Sequence, residues 1–258
     1  GLHIWHMGND SVIQVPSPPH AYSRMQRFIL KDSDGSFWIG TNGGGLLKYT
    51  DGHYISYQND PYNKKSIISD DIESGTIDRS GNLWIGTIKG LSKFDKSLKL
   101  FSLYRQFEYG DKVTDNNIYY IYEDRSQFIW LGTKPGGLIR FDPRTENIKV
   151  YPFIKAGNIE TKSVRAIYQG RDGRMWIGTR DEGLFSLDLE TGKFTHHPTE
   201  GHRFRNTIRH IFEDHSGMFW LATRMGLVQF NPNTLESKLF QSSSLVNNPI
   251  YQICEDTE

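Results

Sequence analysis

The sequence predicts an all-β fold built from a repeated unit, and two observations carry this expectation. A Trp-(Ile/Leu)-(Gly/Ala)-Thr tetrapeptide recurs at intervals of 46, 46, 46 and 44 residues, beginning at Trp38, Trp84, Trp130, Trp176 and Trp220. A period in the forties is typical of an array of small structural units. Aromatic and β-branched runs alternate with Asp-x-x-Gly and Gly-Gly turns, and no segment has the spacing of an amphipathic helix. Each unit is therefore expected to be a small sheet whose faces are covered by its neighbours.

Each repeat contains four predicted strands in a fixed order. An apolar strand ending in an acidic turn comes first, as at residues 26–30, and the Trp strand follows it. A Gly-Leu strand such as residues 45–49 comes third, and a weaker strand such as residues 53–57 closes the unit. Four antiparallel strands in 40 to 50 residues are typical of one blade of a β-propeller.

The predicted organisation is a single β-propeller segment with five complete repeats and two partial ones. The complete repeats are expected at about residues 20–60, 61–110, 111–157, 158–203 and 204–244. The partial repeats lie at residues 1–19 and 245–258, where residues 1–5 align with a third strand and residues 250–256 with a first strand and its turn. We interpret the chain as a segment of a larger propeller.

Several repeated residues are predicted to be structural. One tryptophan at a fixed strand position in each blade indicates core, and the motif glycine indicates a close approach by a neighbouring strand. Ala222 replaces that glycine in the last complete repeat, which predicts a slightly looser blade. Aspartates near the turn glycines are expected to cap the turns through their side chains, namely Asp32, Asp78, Asp124, Asp172 and Asp214. The histidines His196, His197 and His202 are expected to lie on the surface, without metal-ligand spacing.

Composition excludes some classes of function. The chain has 30 basic and 30 acidic residues, so its net charge gives no sign of a nucleic-acid partner. Its single cysteine, Cys254, excludes an internal disulfide framework and a cysteine-based metal cluster, and no metal or cofactor site is predicted. No apolar run is long enough to span a membrane, and composition leaves the compartment open.

The first group of candidate ligand-binding residues follows the Trp strands. These loop positions hold Asn42, Lys89, Lys134, Arg180 and Arg224. Four of the five are basic, and a ring of cations at one propeller face would suit sulfate or uronate groups. The alternative is that they are solvated loop tips, partly neutralised by Asp181 and Glu182.

The second group lies on the first strand of each repeat. It comprises Arg27, Glu73, Tyr119, Arg165 and Arg209, with Tyr251 at the same position in the last partial repeat. Tyrosine rings stack on pyranose faces and arginines contact hydroxyls, so a sugar site is one interpretation. The other interpretation is that these side chains fill a narrow channel.

The Trp-Ile-Gly-Thr strand, the Glu-Asp-x-x-Gly turn and the Gly-Gly-Leu-x-x-Phe-Asp strand closely resemble the regulator-propeller repeats of two-component sensors. In that family the propellers form the periplasmic sensing region of hybrid histidine kinases and respond to oligosaccharides. The resemblance implies a non-catalytic sensor of an oligosaccharide, acidic in view of the basic loops. It also implies a homodimeric, membrane-anchored receptor whose membrane and kinase parts lie outside this sequence.

Two other functions compete with the sensor hypothesis. Propeller glycosidases and lyases of the sialidase type also carry an Asp-x-Gly-x-x-Trp turn in each blade, although the acid here is usually one residue too early. The best stray acidic pair, Asp70 and Asp71, is adjacent on a strand and would point to opposite faces. The third hypothesis is a protein-binding scaffold of the WD type. The uniform repeats predict that this chain has no catalytic residues.

Overall fold

The protein is described by a computed structural model that covers residues 3–6, 11–14, 25–105, 107–109, 112–113, 116–134, 137–152, 154–156, 159–161, 163–198, 207–224, 226–240 and 250–253. Every regular element within these residues is a β-strand, so the predicted all-β class is confirmed. The chain divides into two compact units, residues 1–104 and residues 105–258.

Unit 1 contains a hairpin and two four-stranded antiparallel blades. The hairpin consists of β1 (His3–His6) and β2 (Ser11–Gln14). Blade I consists of β3 (Gln26–Lys31), β4 (Phe37–Thr41), β5 (Leu46–Thr50) and β6 (His53–Tyr57). Blade II consists of β7 (Ile72–Ile77), β8 (Leu83–Thr87), β9 (Gly90–Asp95) and β10 (Leu100–Tyr104). In both blades the strands pair in chain order, as the repeat predicts.

Unit 2 contains three further blades with the same strand order. Blade III consists of β13 (Asn117–Glu123), β14 (Ile129–Lys134), β15 (Gly137–Phe141) and β16 (Ile148–Pro152). Blade IV consists of β19 (Val164–Gln169), β20 (Met175–Thr179), β21 (Leu184–Leu187) and β22 (Phe194–His197). Blade V consists of β23 (Ile208–Glu213), β24 (Phe219–Thr223), β25 (Gly226–Phe230) and β26 (Ser237–Phe240).

Two short hairpins occupy connections for which the repeat predicted no strands. They consist of β11 (Glu108–Tyr109) with β12 (Lys112–Val113), and of β17 (Ile154–Ala156) with β18 (Ile159–Thr161). The strand expected over residues 250–256 is not formed at residues 250–253, because no described strand pairs with them in a ladder. Residues 254–256 lie outside the described part of the chain, as does Cys254 with them.

The hydrophobic core lies between successive blades of each unit. In unit 1, Trp38 of blade I packs against Ile72 and Leu83 of blade II. In unit 2, Trp130 packs against blade IV and Trp176 against blade V. The first four motif tryptophans are at most 1% exposed, namely Trp38, Trp84, Trp130 and Trp176. Trp220 is only half-buried, and no described blade follows blade V to cover it.

Contacts in the structure explain why the motif contains a glycine and a threonine. A Cβ at Gly178 would lie 2.6 Å from Cγ2 of Ile208, on the first strand of the next blade, and one at Gly132 would lie 2.7 Å from Cγ1 of Val164. The predicted close approach between blades is therefore confirmed at these glycines. Thr179 Oγ1 donates to the carbonyl of Gly183 at 2.9 Å, which closes the loop between the second and third strands. Equivalent threonine bonds occur in all five described blades.

The acidic turns are tied to the motif tryptophans. Asp124 Oδ1 accepts from the backbone amides of Ser126 and Phe128, while Oδ2 accepts from Trp130 Nε1 at 2.7 Å. The same Asp–Trp bond joins Asp32 to Trp38, Asp78 to Trp84 and Asp214 to Trp220. Burial alone would raise the pKa of Asp214, but hydrogen bonds from Ser216, Trp220 and the turn backbone hold that pKa below its usual value. The predicted turn-capping role is confirmed for these four aspartates.

Blade IV departs from this arrangement, although Asp172 caps its turn as predicted, because its Oδ1 accepts from the backbone amide of Arg174 at 3.0 Å. Asp172 lies four residues before Trp176, whereas the other aspartates lie six residues before theirs, and the equivalent position is Gly170. Asp172 instead forms an ion pair with Arg174 at 2.8 Å. Trp176 Nε1 is buried and has no hydrogen-bond partner among the described residues. The sequence spacing carried this signal, because only the separation from tryptophan identifies the anchoring residue.

The expectation of a surface location was wrong for His197. This side chain is only 5% exposed, its Nε2 lies 2.8 Å from Ser186 Oγ, and its ring lies against Trp176. His197 occupies the fourth-strand position at which Tyr57, Tyr104 and Tyr151 pack on the tryptophans of their own blades. The imidazole is therefore part of the blade core. His202 lies outside the described residues.

The burial of His197 predicts a loss of stability in mild acid. Burial lowers its pKa to about 4, with smaller contributions from Arg174 and His196. In the unfolded chain histidine titrates near 6.5, so from about pH 6.5 down to about pH 4 the unfolded state binds a proton that the folded state excludes. The stabilising effect is thus fully present above pH 6.5 and declines as the pH falls through this window.

The measurement is the free energy of unfolding as a function of pH, by denaturant titration, for the wild type and His197→Tyr. The variant should lose less stability between pH 6.5 and pH 4, since it carries the residue of the other blades. A residual decline is expected from His210, whose pKa is also lowered by burial. Parallel pH profiles for the two proteins would contradict the prediction.

Candidate functional site

The first strand of every blade carries a β-bulge at one position. The ladder between first and second strands skips one residue in each blade, namely Arg27, Glu73, Tyr119, Arg165 and Arg209. These are the second group of candidate residues predicted from the sequence. A bulge re-aims the side chain of its extra residue relative to the regular alternation of the strand. At this position of the first strand, the side chain therefore departs from the regular alternation between the two faces of the blade.

The loops after the Trp strands lie at the same end of each blade as the bulges. In blade IV the backbone amide of Arg180 donates to the carbonyl of Ser163, immediately before the first strand, at 3.1 Å. In blade V the amide of Arg224 donates to the carbonyl of Thr207 at 3.2 Å. Lys134 of blade III pairs with Asn117 at the start of β13. We call this end of the blades the bulge end.

In unit 1 the candidate residues largely neutralise each other. Arg27 Nη2 and Glu73 Oε1, the bulge residues of blades I and II, form an ion pair at 3.3 Å. Lys89 is exposed, and its backbone amide donates to Thr87 Oγ1 at 3.0 Å. The two bulge residues of unit 1 therefore neutralise each other, whereas both arginine bulge residues of unit 2 lie over tyrosine rings.

In unit 2 each of the two bulge arginines is stacked over a tyrosine ring. The guanidinium of Arg165 lies 3.6 Å from the ring centroid of Tyr119 in the preceding blade. The guanidinium of Arg209 lies 4.2 Å from the ring centroid of Tyr251. Such contacts hold a cation over an aromatic face without neutralising it. The structure thus brings together Tyr119 with Arg165, and Arg209 with Tyr251, all from the second predicted group.

Residues 250–253 are held beside blade V. The amide of Ile250 donates to the carbonyl of Thr223 at 3.0 Å, and the amide of Ile253 donates to Nδ1 of His210 at 3.4 Å. These contacts place Tyr251 next to the bulge of β23. The signal for Tyr251 was its register in the partial repeat, which matches the position of Arg209.

The loop arginines of unit 2 are exposed. Arg180 Nε lies 3.8 Å from Asp181 Oδ1, and both side chains are at least half exposed, so this pair is worth little. Thr207 Oγ1 donates to the carbonyl of Arg180 and so connects blades IV and V at the bulge end. Arg224 is exposed beside Thr207. These cations add positive charge around the stacked pairs.

Arginines at the opposite end of unit 2 are engaged by the protein itself. Arg171 donates through its guanidinium to the carbonyls of Asp214 and His215 at 2.8 and 3.0 Å, and it lies 3.6 Å from Glu213. The amide of Arg125 donates to Gln169 Oε1 of the next blade at 2.8 Å. Sequence reasoning missed this network, which links consecutive acidic turns. Its groups are satisfied by neighbouring blades, so it forms no candidate ligand site.

Two places in the described structure could suggest catalysis, Asp70 and the pair of Ser186 with His197, and the polar groups of both are used within the fold. Asp70 accepts from the amide of Asn59 through Oδ1, while its carbonyl accepts from the amides of Gly43 and Gly45. This aspartate therefore fixes the glycine loop of blade I. The buried pair of Ser186 and His197 is closed off within blade IV.

The described residues contain no group of three or more His, Cys, Asp or Glu side chains that could hold a metal ion. Nor does this part of the chain contain a helix long and apolar enough to cross a membrane.

Comparison with known proteins relates this geometry to a family. Residues 23–43, 112–134 and 158–181 match the family model described as two component regulator propeller. The chain is 30% identical over 155 residues to histidine kinase P4 of Formosa agariphila, a match that covers 57% of this chain and 11% of that protein. The chain thus spans only a small part of its curated relative.

Two solved structures are similar in fold. The extracellular domain of a hybrid two component system from B. thetaiotaomicron matches with a TM-score of 0.71 and 18% identity, covering 93% of this chain and 33% of that one. Virginiamycin B lyase from Staphylococcus aureus matches with a TM-score of 0.70 and 14% identity, covering 94% and 78%. At such identities the likeness concerns the fold alone.

Proposed function

We propose that the chain, three stretches of which match the two component regulator propeller model, is a non-catalytic sensory segment of a two-component system. Its ligand is an oligosaccharide, and the signal passes to a histidine kinase elsewhere in the full-length protein. The proposed location is the periplasm, and the proposed receptor is a membrane-anchored homodimer. The named relatives, a histidine kinase and an extracellular domain of a two component system, support this proposal.

One structural observation favours ligand binding at the bulge end of unit 2. Three successive blades contribute Tyr119, Arg165 and Arg209 from equivalent bulges, and Tyr251 lies against the last of them. Tyrosine rings and guanidinium groups are suited to sugar rings and their polar substituents. Side chains from several blades can then act on one extended ligand, with Lys134, Arg180 and Arg224 around it. In unit 1, Lys89 is a further candidate.

The non-catalytic part of the proposal is supported by what the polar groups already do. The best acidic candidate, Asp70, is used to hold a loop, and a buried Ser–His pair cannot reach a substrate. A reaction would need an acid, a base or a nucleophile positioned together in one cleft. The likeness to a lyase makes a direct test necessary.

The experiment uses the full-length protein in lipid vesicles with a panel of neutral and acidic oligosaccharides. We expect saturable binding of at least one oligosaccharide, a change in the rate of autophosphorylation on histidine, and no new reducing ends or unsaturated products. Product formation that survives repurification would favour the glycosidase or lyase alternative. Absence of saccharide binding, together with capture of a protein partner, would favour the scaffold alternative.

A further inference from the structure

Arg209 has an unmet hydrogen-bonding requirement that distinguishes it from other arginines of the protein. Its Nη1 is buried, and no described residue accepts a hydrogen bond from it. Arg27 faces Glu73, Arg171 donates to two carbonyls, and Arg174 faces Asp172. A charged donor without an acceptor is costly, so this half-buried side chain would be stabilised if a small shift brought its guanidinium against a ligand oxygen.

The contact with Tyr251 orients the guanidinium of Arg209 and does not neutralise its charge. The ring centroid of Tyr251 lies 4.2 Å from Arg209 Cζ, and an aromatic face stabilises a cation without providing a lone pair to its N–H groups. The bulge at Arg209 fixes the point at which the side chain leaves the strand. The guanidinium is therefore held in one orientation, beside a ring that is 68% exposed.

The chemistry of these two side chains selects one class of ligand group. A guanidinium presents parallel N–H donors that match the two oxygens of a carboxylate. The exposed tyrosine ring offers a flat surface for the C–H face of a pyranose. A uronic acid has both features, a carboxylate attached directly to a sugar ring.

Neighbouring residues extend the same pattern. Arg224 is exposed at the adjacent loop, with its backbone bonded to Thr207 two residues before Arg209. Arg165 and Tyr119 repeat the guanidinium–tyrosine stack on the preceding blades, at 3.6 Å. A ligand with acidic groups at successive sugars would meet this pattern better than a ligand with a single charge.

We infer that Arg209 and Tyr251 form the carboxylate-binding subsite for a uronic-acid oligosaccharide, an inference that rests on the proposed function. On binding, the half-buried side chain of Arg209 shifts so that its guanidinium donates to the carboxylate, and the ring of Tyr251 lies against the sugar. Arg165 with Tyr119 binds an adjacent sugar of the same chain.

The test is calorimetric titration of the full-length protein with trigalacturonate, with neutral galactotriose of the same length, and with a sulfated galactotriose. Trigalacturonate should bind most tightly, and its affinity should fall about 10- to 100-fold in Arg209→Gln, as expected for lost charge-assisted hydrogen bonds. Arg209→Lys should lose part of this affinity, because it keeps the charge and lacks the fork. Tyr251→Leu should weaken all sugars, whereas Tyr251→Phe should not.

The matched control is Arg144→Gln. Arg144 also lies over an aromatic ring in unit 2, that of Phe128 at 5.7 Å, but it belongs to the turn between β15 and β16 at the opposite end of its blade. Its replacement should leave trigalacturonate affinity unchanged. Arg209→Gln should change the melting temperature without ligand only slightly, since it removes the contact with Tyr251 together with a buried donor that lacks an acceptor.

The outcomes separate this inference from the proposed function. Trigalacturonate binding that is equal in wild type and Arg209→Gln would overturn the subsite while leaving the sensor proposal intact. Tighter binding of galactotriose or of the sulfated sugar would overturn the carboxylate assignment alone. Failure of every saccharide to bind or to change autophosphorylation would overturn both.

Discussion

Replacing Trp130 with Ala should lower the free energy of unfolding by about 3 to 5 kcal/mol, the usual cost of a large cavity in a packed core. Trp130 is fully buried, packs between blades III and IV with Val164 and Met175, and stacks on Tyr151 at 5.7 Å. The substitution removes contacts from two blades at once. The measurement is denaturant unfolding followed by circular dichroism.

Trp220→Ala is the matched control for this prediction. Trp220 occupies the same motif position in blade V and packs on Phe240 at 5.0 Å, but it is only half-buried. Its loss should cost clearly less than the loss of Trp130. Equal destabilisation by the two substitutions would show that burial by the following blade contributes little.

Replacing Asp124 with Ala should cost about 2 to 3 kcal/mol, because it leaves a buried donor without an acceptor. The carboxylate accepts from Trp130 Nε1 and from the amides of Ser126 and Phe128. Asp172→Ala is the control, since the carboxylate of Asp172 is exposed and bonds only locally, to the Arg174 amide and side chain. Denaturant unfolding of both variants should show a large loss for the first and a small one for the second.

The reciprocal substitution in blade IV should be stabilising. Gly170→Asp would place a carboxylate at the position that bonds the tryptophan in the other four described blades, and we expect a gain of about 1 kcal/mol. The new Cβ would lie 2.7 Å from Asp172 Oδ1 and 3.0 Å from Trp176 Nε1, so the exposed Asp172 side chain must move and the buried Trp176 ring must shift slightly. A lower stability of Gly170→Asp than of the wild type would show that blade IV cannot accommodate the bond.

The bulge end illustrates how far the candidate site could be predicted. The repeat placed Tyr119, Arg165 and Arg209 at one register position, and the structure has that position as the bulge of each first strand. The bulge itself was not predictable, because it depends on the pairing between two strands and leaves no local mark in composition. It was likewise not predictable that Nη1 of Arg209 lacks an acceptor, because this depends on all the residues that surround the guanidinium.

The sequence by itself determined the class of fold, the number of complete blades, the order of their strands and the structural role of the Trp-x-x-Thr motif. These properties could be predicted because each depends on a local pattern that recurs five times, so that chance resemblance is excluded by repetition. Only the tertiary structure decided which polar groups are already satisfied. In the structure, Arg171 donates to a carbonyl of the next blade and Arg27 forms an ion pair with Glu73. His197 is buried, and Nη1 of Arg209 has no acceptor among the described residues. The physical reason is that hydrogen bonding and burial depend on contacts between blades, more than forty residues apart in sequence.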